Sequence, residues 1–183
     1  MSVITRSWLS FAAIGAGVIH LALVISSPLA IGIPLLLFGL AEIAWGVLIL
    51  VADRLLVPRL AQAGAVAPLL LWSLLTVIAT LLSAPQITSS LRFVPMGIAA
   101  LFELFISGVL GRIIPRQAVD ERPARAPKPA SAVRYLSAVL LAGIIVGGLT
   151  TPALAATQAG SVAREHGGTM GGMMNVNMPG IGH

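Results

Sequence analysis

Residues 7–41 read SWLSFAAIGAGVIHLALVISSPLAIGIPLLLFGLA, a stretch without a single formally charged side chain. A helix needs about 20 mostly apolar residues to cross the hydrocarbon core of a bilayer. The stretch is too long for one crossing, and Ser26-Ser27-Pro28, Gly32 and Pro34 interrupt it. Because proline lacks an amide donor and disfavours helix in the preceding residue, we place a tight hairpin there, between two membrane spans.

The rest of the chain has the same apolar character. Hydrophobic residues make up 57% of it, charged residues 9%, and the mean hydropathy is +1.00. Soluble domains usually carry about a quarter charged residues, so we expect most of this surface to face lipid. The predicted spans cover 8–25, 31–52, 65–84, 93–113 and 133–151. The expected fold is therefore an all-α membrane protein with five transmembrane helices.

Lysine and arginine are distributed unequally between the two sides that five crossings define. Only Arg92 and Arg164 fall on one side. The other side receives Arg6, Arg54, Arg59, Arg112, Arg116, Arg122, Arg125, Lys128 and Arg134. Because cytoplasmic loops retain basic residues, this pattern predicts a multi-pass protein of the cell inner (plasma) membrane. Its N-terminus is expected in the cytoplasm and its C-terminus outside.

The first two spans resemble the next two. Pro34 precedes Glu42 by eight positions, as Pro95 precedes Glu103, and each glutamate is soon followed by Gly-Val-Leu. Two-span units keep the same direction in the membrane, so we predict a four-helix bundle of two parallel two-helix repeats plus one appended helix. The expected parts are a first repeat at 1–60, a second at 61–116, a cytoplasmic Pro/Arg-rich linker at 117–132, the fifth helix at 133–155 and an extracytoplasmic Gly/Met/His tail at 156–183.

Three ionisable residues, His20, Glu42 and Glu103, lie inside predicted spans. An ionised carboxylate there costs at least about 2.5–3.5 kcal/mol, so each must face the bundle interior. The repeat would place both glutamates near one central site, where two carboxylates do not easily ionise together. Two interpretations stay open. The residues form a proton- or cation-responsive site, or neutral carboxylic acids hold the bundle together by hydrogen bonds.

The last residues, from position 166, read HGGTMGGMMNVNMPGIGH. Thioethers favour Cu(I), and imidazole binds both copper states, so this composition indicates copper binding. The predicted ligands are His166, Met170, Met173, Met174, Met178 and His183. The segment resembles the Met/His-rich tails of bacterial copper-handling membrane proteins, which implies copper at the outer face. The alternative is a disordered glycine-rich tail whose methionines rest on the membrane or on a partner.

The composition also excludes several functions. Cysteine is absent, so disulfides, thiolate zinc sites and iron–sulfur clusters are excluded. We expect no enzyme, because no nucleophile–base pair is evident, no cofactor other than copper, and no nucleic-acid partner. The leading hypothesis is a small polytopic inner-membrane protein that binds or handles copper at its extracytoplasmic face. One alternative is a non-catalytic accessory subunit that contacts other membrane subunits or a second copy. The other is a proton-coupled carrier that uses the intramembrane carboxylates.

Overall fold

The computed structural model describes residues 1–52, 54–83, 92–119 and 131–172. Within those ranges the chain forms six helices and no strand. They are α1 (Val3–Val24), α2 (Leu29–Val51), α3 (Pro58–Leu81), α4 (Phe93–Val119), α5 (Ala132–Ala155) and α6 (Gln158–Gly172). The first five are long and apolar enough to cross a membrane, and they leave many large apolar side chains on the outer surface. The prediction of a helical chain with five apolar helices long enough to cross a membrane is confirmed for the described residues, and these helices are compatible with a multi-pass membrane protein.

Helix α1 is the most enclosed of the five. It packs extensively on α2 and also contacts α4, α5 and α6. Its fully buried apolar side chains are Leu9, Ala13, Ala16, Ile19 and Leu23. A helix surrounded in this way can carry a polar side chain without exposing it to lipid.

Helices α1 and α2 approach each other closely because glycines lie at their contact. A Cβ on Gly17 would come within 2.6 Å of the Gly39 carbonyl oxygen, and one on Gly39 within 2.8 Å of the Gly17 carbonyl oxygen. Farther along, the Ser10 hydroxyl donates to the Gly46 carbonyl oxygen over 2.7 Å. Such small residues and interhelical hydrogen bonds stabilise helix pairs in lipid. Early residues of α1 meet late residues of α2, so the two helices run antiparallel.

The turn between α1 and α2 lies at the predicted hairpin. The Ser27 amide donates to the Val24 carbonyl oxygen (3.1 Å) and the Ser27 hydroxyl to that of Leu23 (2.8 Å), which satisfies the end of α1. Pro34, which we also took as a break, lies inside α2 instead. A proline there removes one backbone hydrogen bond, a loss that packing in a membrane bundle can tolerate.

Several boundaries differ from the predicted ones. Helix α3 begins at Pro58, which suits the first helical turn, so the predicted repeat boundary at 60 falls inside α3. Helix α4 runs to Val119, past the predicted end at 113, and the linker residues 120–130 lie outside the described residues. The structure packs α1 on α2 and α3 on α4. The ancestral duplication itself stays a prediction.

Helix α6 was not predicted, and it covers the first part of the glycine-rich tail. It begins after Thr157, whose buried hydroxyl accepts from the Gly160 amide at 3.2 Å, as a helix N-cap does. The Arg164 guanidinium donates to the Ala155 carbonyl oxygen over 2.8 Å and ties α6 to the end of α5. These contacts fix the start of α6 despite its low intrinsic helix propensity.

Candidate functional site

The structure brings the three intramembrane ionisable residues together around one imidazole. His20 Nδ1 lies 2.8 Å from Glu42 Oε2, and His20 Nε2 lies 3.4 Å from Glu103 Oε1. The exposed fractions of the side chains are 0% for His20, 10% for Glu42 and 2% for Glu103. A single buried imidazole therefore bridges two carboxyl groups on two different helices.

Local sequence explains why these side chains converge. Glu42 lies between Gly39 and Gly46, two glycines of α2 that pack closely on α1, so it faces α1 as well. Side chains in a helix lean towards its N-terminus, and α1 and α2 are antiparallel. His20 and Glu42 consequently lean towards each other. Glu103 belongs to the buried face of α4, one turn after the fully buried Ala99.

The hydrogen-bonding capacity of this triad, as we call His20, Glu42 and Glu103, is only partly used. Among the described residues, His20 Nε2, Glu42 Oε1 and Glu103 Oε1 are buried and have no hydrogen-bond partner. The 3.4 Å contact is an ion-pair distance, but it is longer than an ordinary N–H···O hydrogen bond. Unpaired buried polar atoms are costly, so the triad has capacity for a further proton, water or cation.

The charge of the triad depends on how many protons it holds. With both carboxyls ionised and the imidazole neutral, the formal charge is −2, so two added protons make the cluster neutral. A neutral cluster is the least costly one in a low-dielectric interior.

The triad also has donor atoms that could hold a metal ion. One ligand atom from each residue lies within 4.8 Å of the others, and imidazole with carboxylates suits divalent ions. However, the two carboxyls contact opposite nitrogens of the ring, so one nitrogen and both carboxyls do not meet at one point. This geometry favours proton sharing over metal binding.

A cleft of about 610 Å³ lies between α2 and α3, and Glu42 is among the residues that line it. The remaining lining is apolar and includes Phe38 and Trp45. Leu48 and Leu60, on its two walls, are 52% and 70% exposed, so the rim of the cleft reaches the lipid-facing surface. Glu42 thus has His20 on one side and an open apolar cleft on the other.

A second apolar cavity, of about 400 Å³, lies nearer the α1–α2 turn. It too lies between α2 and α3, and Phe38 lines both cavities. Pro34 of α2 and Pro68 of α3 both face it. The two helices are therefore loosely packed along much of their length.

The tail residues are only partly covered by the structure. His166 lies in α6, where its Nδ1 contacts the Val162 carbonyl oxygen at 2.9 Å, and Met170 follows one turn later. Four more of the predicted copper ligands lie outside the described residues, namely Met173, Met174, Met178 and His183. Copper binding by this segment stays a prediction.

The cleft and the residues that shape it could not be predicted from the sequence. Trp45 and Gly64 line it, and nothing in their sequence neighbourhood distinguishes them from other residues of apolar helices. Nothing in the sequence distinguishes Ser107 and Thr150 either. Their hydroxyls are buried and lack hydrogen-bond partners among the described residues.

Comparison with known proteins finds no matching family model, no matching curated protein and no matching solved structure. The interpretation of function therefore begins with the chemistry of the triad and the cleft beside it.

Proposed function

We propose that this chain is a proton-coupled membrane carrier whose exchange site is the triad of His20, Glu42 and Glu103. One observation supports this above all: a fully buried imidazole contacts two carboxyl groups from two helices inside a predominantly apolar bundle. Ionisable groups at such positions are expensive, and in membrane proteins they commonly mark proton and ion pathways.

The imidazole suits a role as proton relay. It accepts a proton on one ring nitrogen and releases one from the other, so it can pass protons between the two carboxyls. Glu103 is enclosed, with 1% of its surface exposed, whereas Glu42 borders the cleft. In this proposal Glu42 exchanges its proton for substrate. Glu103, on the opposite side of the imidazole, keeps the net charge of the triad balanced.

A bundle of five spans is small for a carrier, so we propose that it works as a homo-oligomer. Helix α5 offers a face for a second copy, because a Cβ on Gly143 or Gly147 would meet nothing within 4 Å. Small residues spaced in this way permit close helix packing in membranes. The same face favours the accessory-subunit alternative, which gains support if a different membrane protein co-purifies stoichiometrically in mild detergent.

Infrared difference spectroscopy of the reconstituted protein tests the proposal without knowledge of the substrate. Stepping the pH should reveal the C=O stretch of a protonated carboxyl in a dry environment. Glu103→Gln and Glu42→Gln should each alter that band, while Glu165→Gln, on exposed α6, serves as the matched control and should leave it unchanged. A spectrum without any titrating buried carboxyl contradicts the proposal.

Copper binding at the outer face is the second candidate function. The observation that favours it is α6 itself, whose backbone places His166 and Met170, residue types that bind copper, four positions apart in one helix. Loading Cu(I) onto the protein with and without residues 157–183 tests it. Stoichiometric copper that is lost on truncation supports this function, and no copper in either protein removes it.

A further inference from the structure

The cleft between α2 and α3 combines three features that a bare lipid-facing groove lacks. Its volume of about 610 Å³ falls in the range of small-molecule sites, roughly 300–1,000 Å³. Its walls carry two aromatic side chains, Phe38 and Trp45. Among the described residues that line it, Glu42 is the one ionisable side chain.

Each wall of the cleft is held in place by its own contacts. The Trp45 indole N–H donates to the Leu56 carbonyl oxygen over 3.0 Å, so the ring is fixed against the segment that leads into α3. Glu42 is fixed from behind by His20 at 2.8 Å. On the α3 wall, a Cβ on Gly64 would meet nothing within 4 Å, which leaves the space open. The cleft is therefore preformed.

We propose that this cleft binds a hydrophobic organic cation, such as a protonated lipophilic amine, with Glu42 as its counter-ion. The proposal rests on the proposed function and names the substrate class of its exchange site. An apolar body gains by leaving water for the cleft, its positive charge pairs with the carboxylate, and the aromatic faces attract it further. Glu42, whose side chain is 10% exposed and lines the cleft, supplies the carboxylate.

The exchange keeps charge constant. In the proposed exchange the cation takes the place of a proton on Glu42, so one positive charge replaces another next to the carboxylate. The ionisable groups that face Glu42 are His20 from α1 and, beyond the ring, Glu103 from α4. The α3 residues that line the cleft carry none. Because protons compete for the same carboxylate, the affinity for the cation should rise with pH, by at most about tenfold per pH unit.

Equilibrium binding of tetraphenylphosphonium to the purified full-length protein in detergent tests the proposal. Tetraphenylborate has the same size and shape but the opposite charge, so it reports on hydrophobic partition alone. The variants are Glu42→Gln, which removes the counter-ion, and Gly64→Leu, which fills the cleft. Gly148→Leu is the matched control, because Gly148 also faces open space but lies on α5, away from the cleft.

We expect saturable binding of tetraphenylphosphonium that strengthens with pH and releases about one proton per cation. Glu42→Gln should weaken it by on the order of tenfold or more, since a charge pair is strong in a low-dielectric site. Gly64→Leu should abolish it, whereas Gly148→Leu should bind the cation as the wild type does. Tetraphenylborate should show no saturable binding.

Equal uptake of the two ions would identify the cleft as a place for lipid chains or a second copy, and it would overturn the inference. Binding that Gly64→Leu leaves intact would overturn it as well. If the cation fails to bind while a buried carboxyl still titrates in the infrared spectrum, the inference fails and the proposed function stands. If no buried carboxyl titrates, the proposed function fails too.

Discussion

The two sides of α2 differ sharply in how they pack. On the side of α1, Gly17 and Gly39 bring the backbones so close that a Cβ on either would lie under 3 Å from the opposite carbonyl oxygen. On the side of α3, two apolar cavities of about 400 and 610 Å³ separate the helices. Helix α2 therefore has a tightly packed interface with α1 and a loosely packed one with α3.

Glu42 lies where these two sides meet. The tight interface holds it against His20, and the loose one gives the same side chain a route towards lipid. A glutamate that only contacts other side chains in the interior has a structural role. A glutamate that is exposed only to lipid would cost too much free energy to be retained. The combination of both environments is what makes a side chain suitable for exchange.

The largest loss of stability is expected from a bulky substitution at the tight interface between α1 and α2. In Gly39→Leu the new side chain has no space, because Gly17 backbone atoms and the Leu21 side chain already surround the position. We expect loss of the folded, monodisperse protein in detergent, with overpacking costing about 3 kcal/mol or more. The same change on the loose side, Gly64→Leu, should leave the thermal midpoint nearly unchanged. Equal damage from both changes would contradict the comparison.

The second largest loss of stability is expected when the imidazole of His20 is removed. His20→Leu leaves two buried carboxyls without their shared partner, and breaking a buried charged network costs about 3–5 kcal/mol. Unfolding in mixed micelles of a mild detergent and dodecyl sulfate measures this loss. Adding Glu42→Gln and Glu103→Gln to His20→Leu should recover part of it, because no ionisable group remains. If the single variant is as stable as the wild type, the triad contributes nothing to the fold.

A smaller effect is expected from the interhelical hydrogen bond of the tight side. Ser10→Ala removes the donor to the Gly46 carbonyl oxygen at a fully buried position. Such bonds in membrane proteins contribute about 0.6–1.7 kcal/mol. The matched control is Ser73→Ala, whose hydroxyl bonds only within its own exposed helix turn and should change stability by much less. The same mixed-micelle titration compares the two variants.

The number of spans could be predicted from the sequence because hydropathy and helix length are one-dimensional properties. The residues His20, Glu42 and Glu103 could be singled out for the same reason, since charge within an apolar run is visible in the sequence. Their mutual contacts could not be derived. They depend on how each helix is rotated about its axis, and helices that are apolar on every face encode little of that rotation.

Helix α6 shows a second reason why structure could not be predicted from the sequence. Its glycines predict irregular structure, yet contacts with the end of α5 override that preference. A Cβ on Gly160 would come within 2.7 Å of Ala155 Cα, so the close approach itself requires glycine. Local propensity is a weak guide where tertiary contacts decide.

The two basic residues that fall on the minority side of the charge pattern also have a structural use. Arg92 donates to the Ala156 carbonyl oxygen over 2.7 Å, and Arg164 to that of Ala155 over 2.8 Å. Both satisfy carbonyl groups at the C-terminal end of α5, where positive charge is favourable. Both arginines therefore stabilise that helix end.

In the proposed function Glu42 exchanges protons and is reached from the lipid through the cleft. Dicyclohexylcarbodiimide, a lipid-soluble reagent that modifies protonated carboxyls, tests both parts when the labelled site is located by peptide mass spectrometry. We predict modification of Glu42 and not of the enclosed Glu103, a rate that falls as the pH rises, and protection by Gly64→Leu. Labelling of Glu103 instead, or labelling of Glu42 that Gly64→Leu leaves unchanged, would contradict the account.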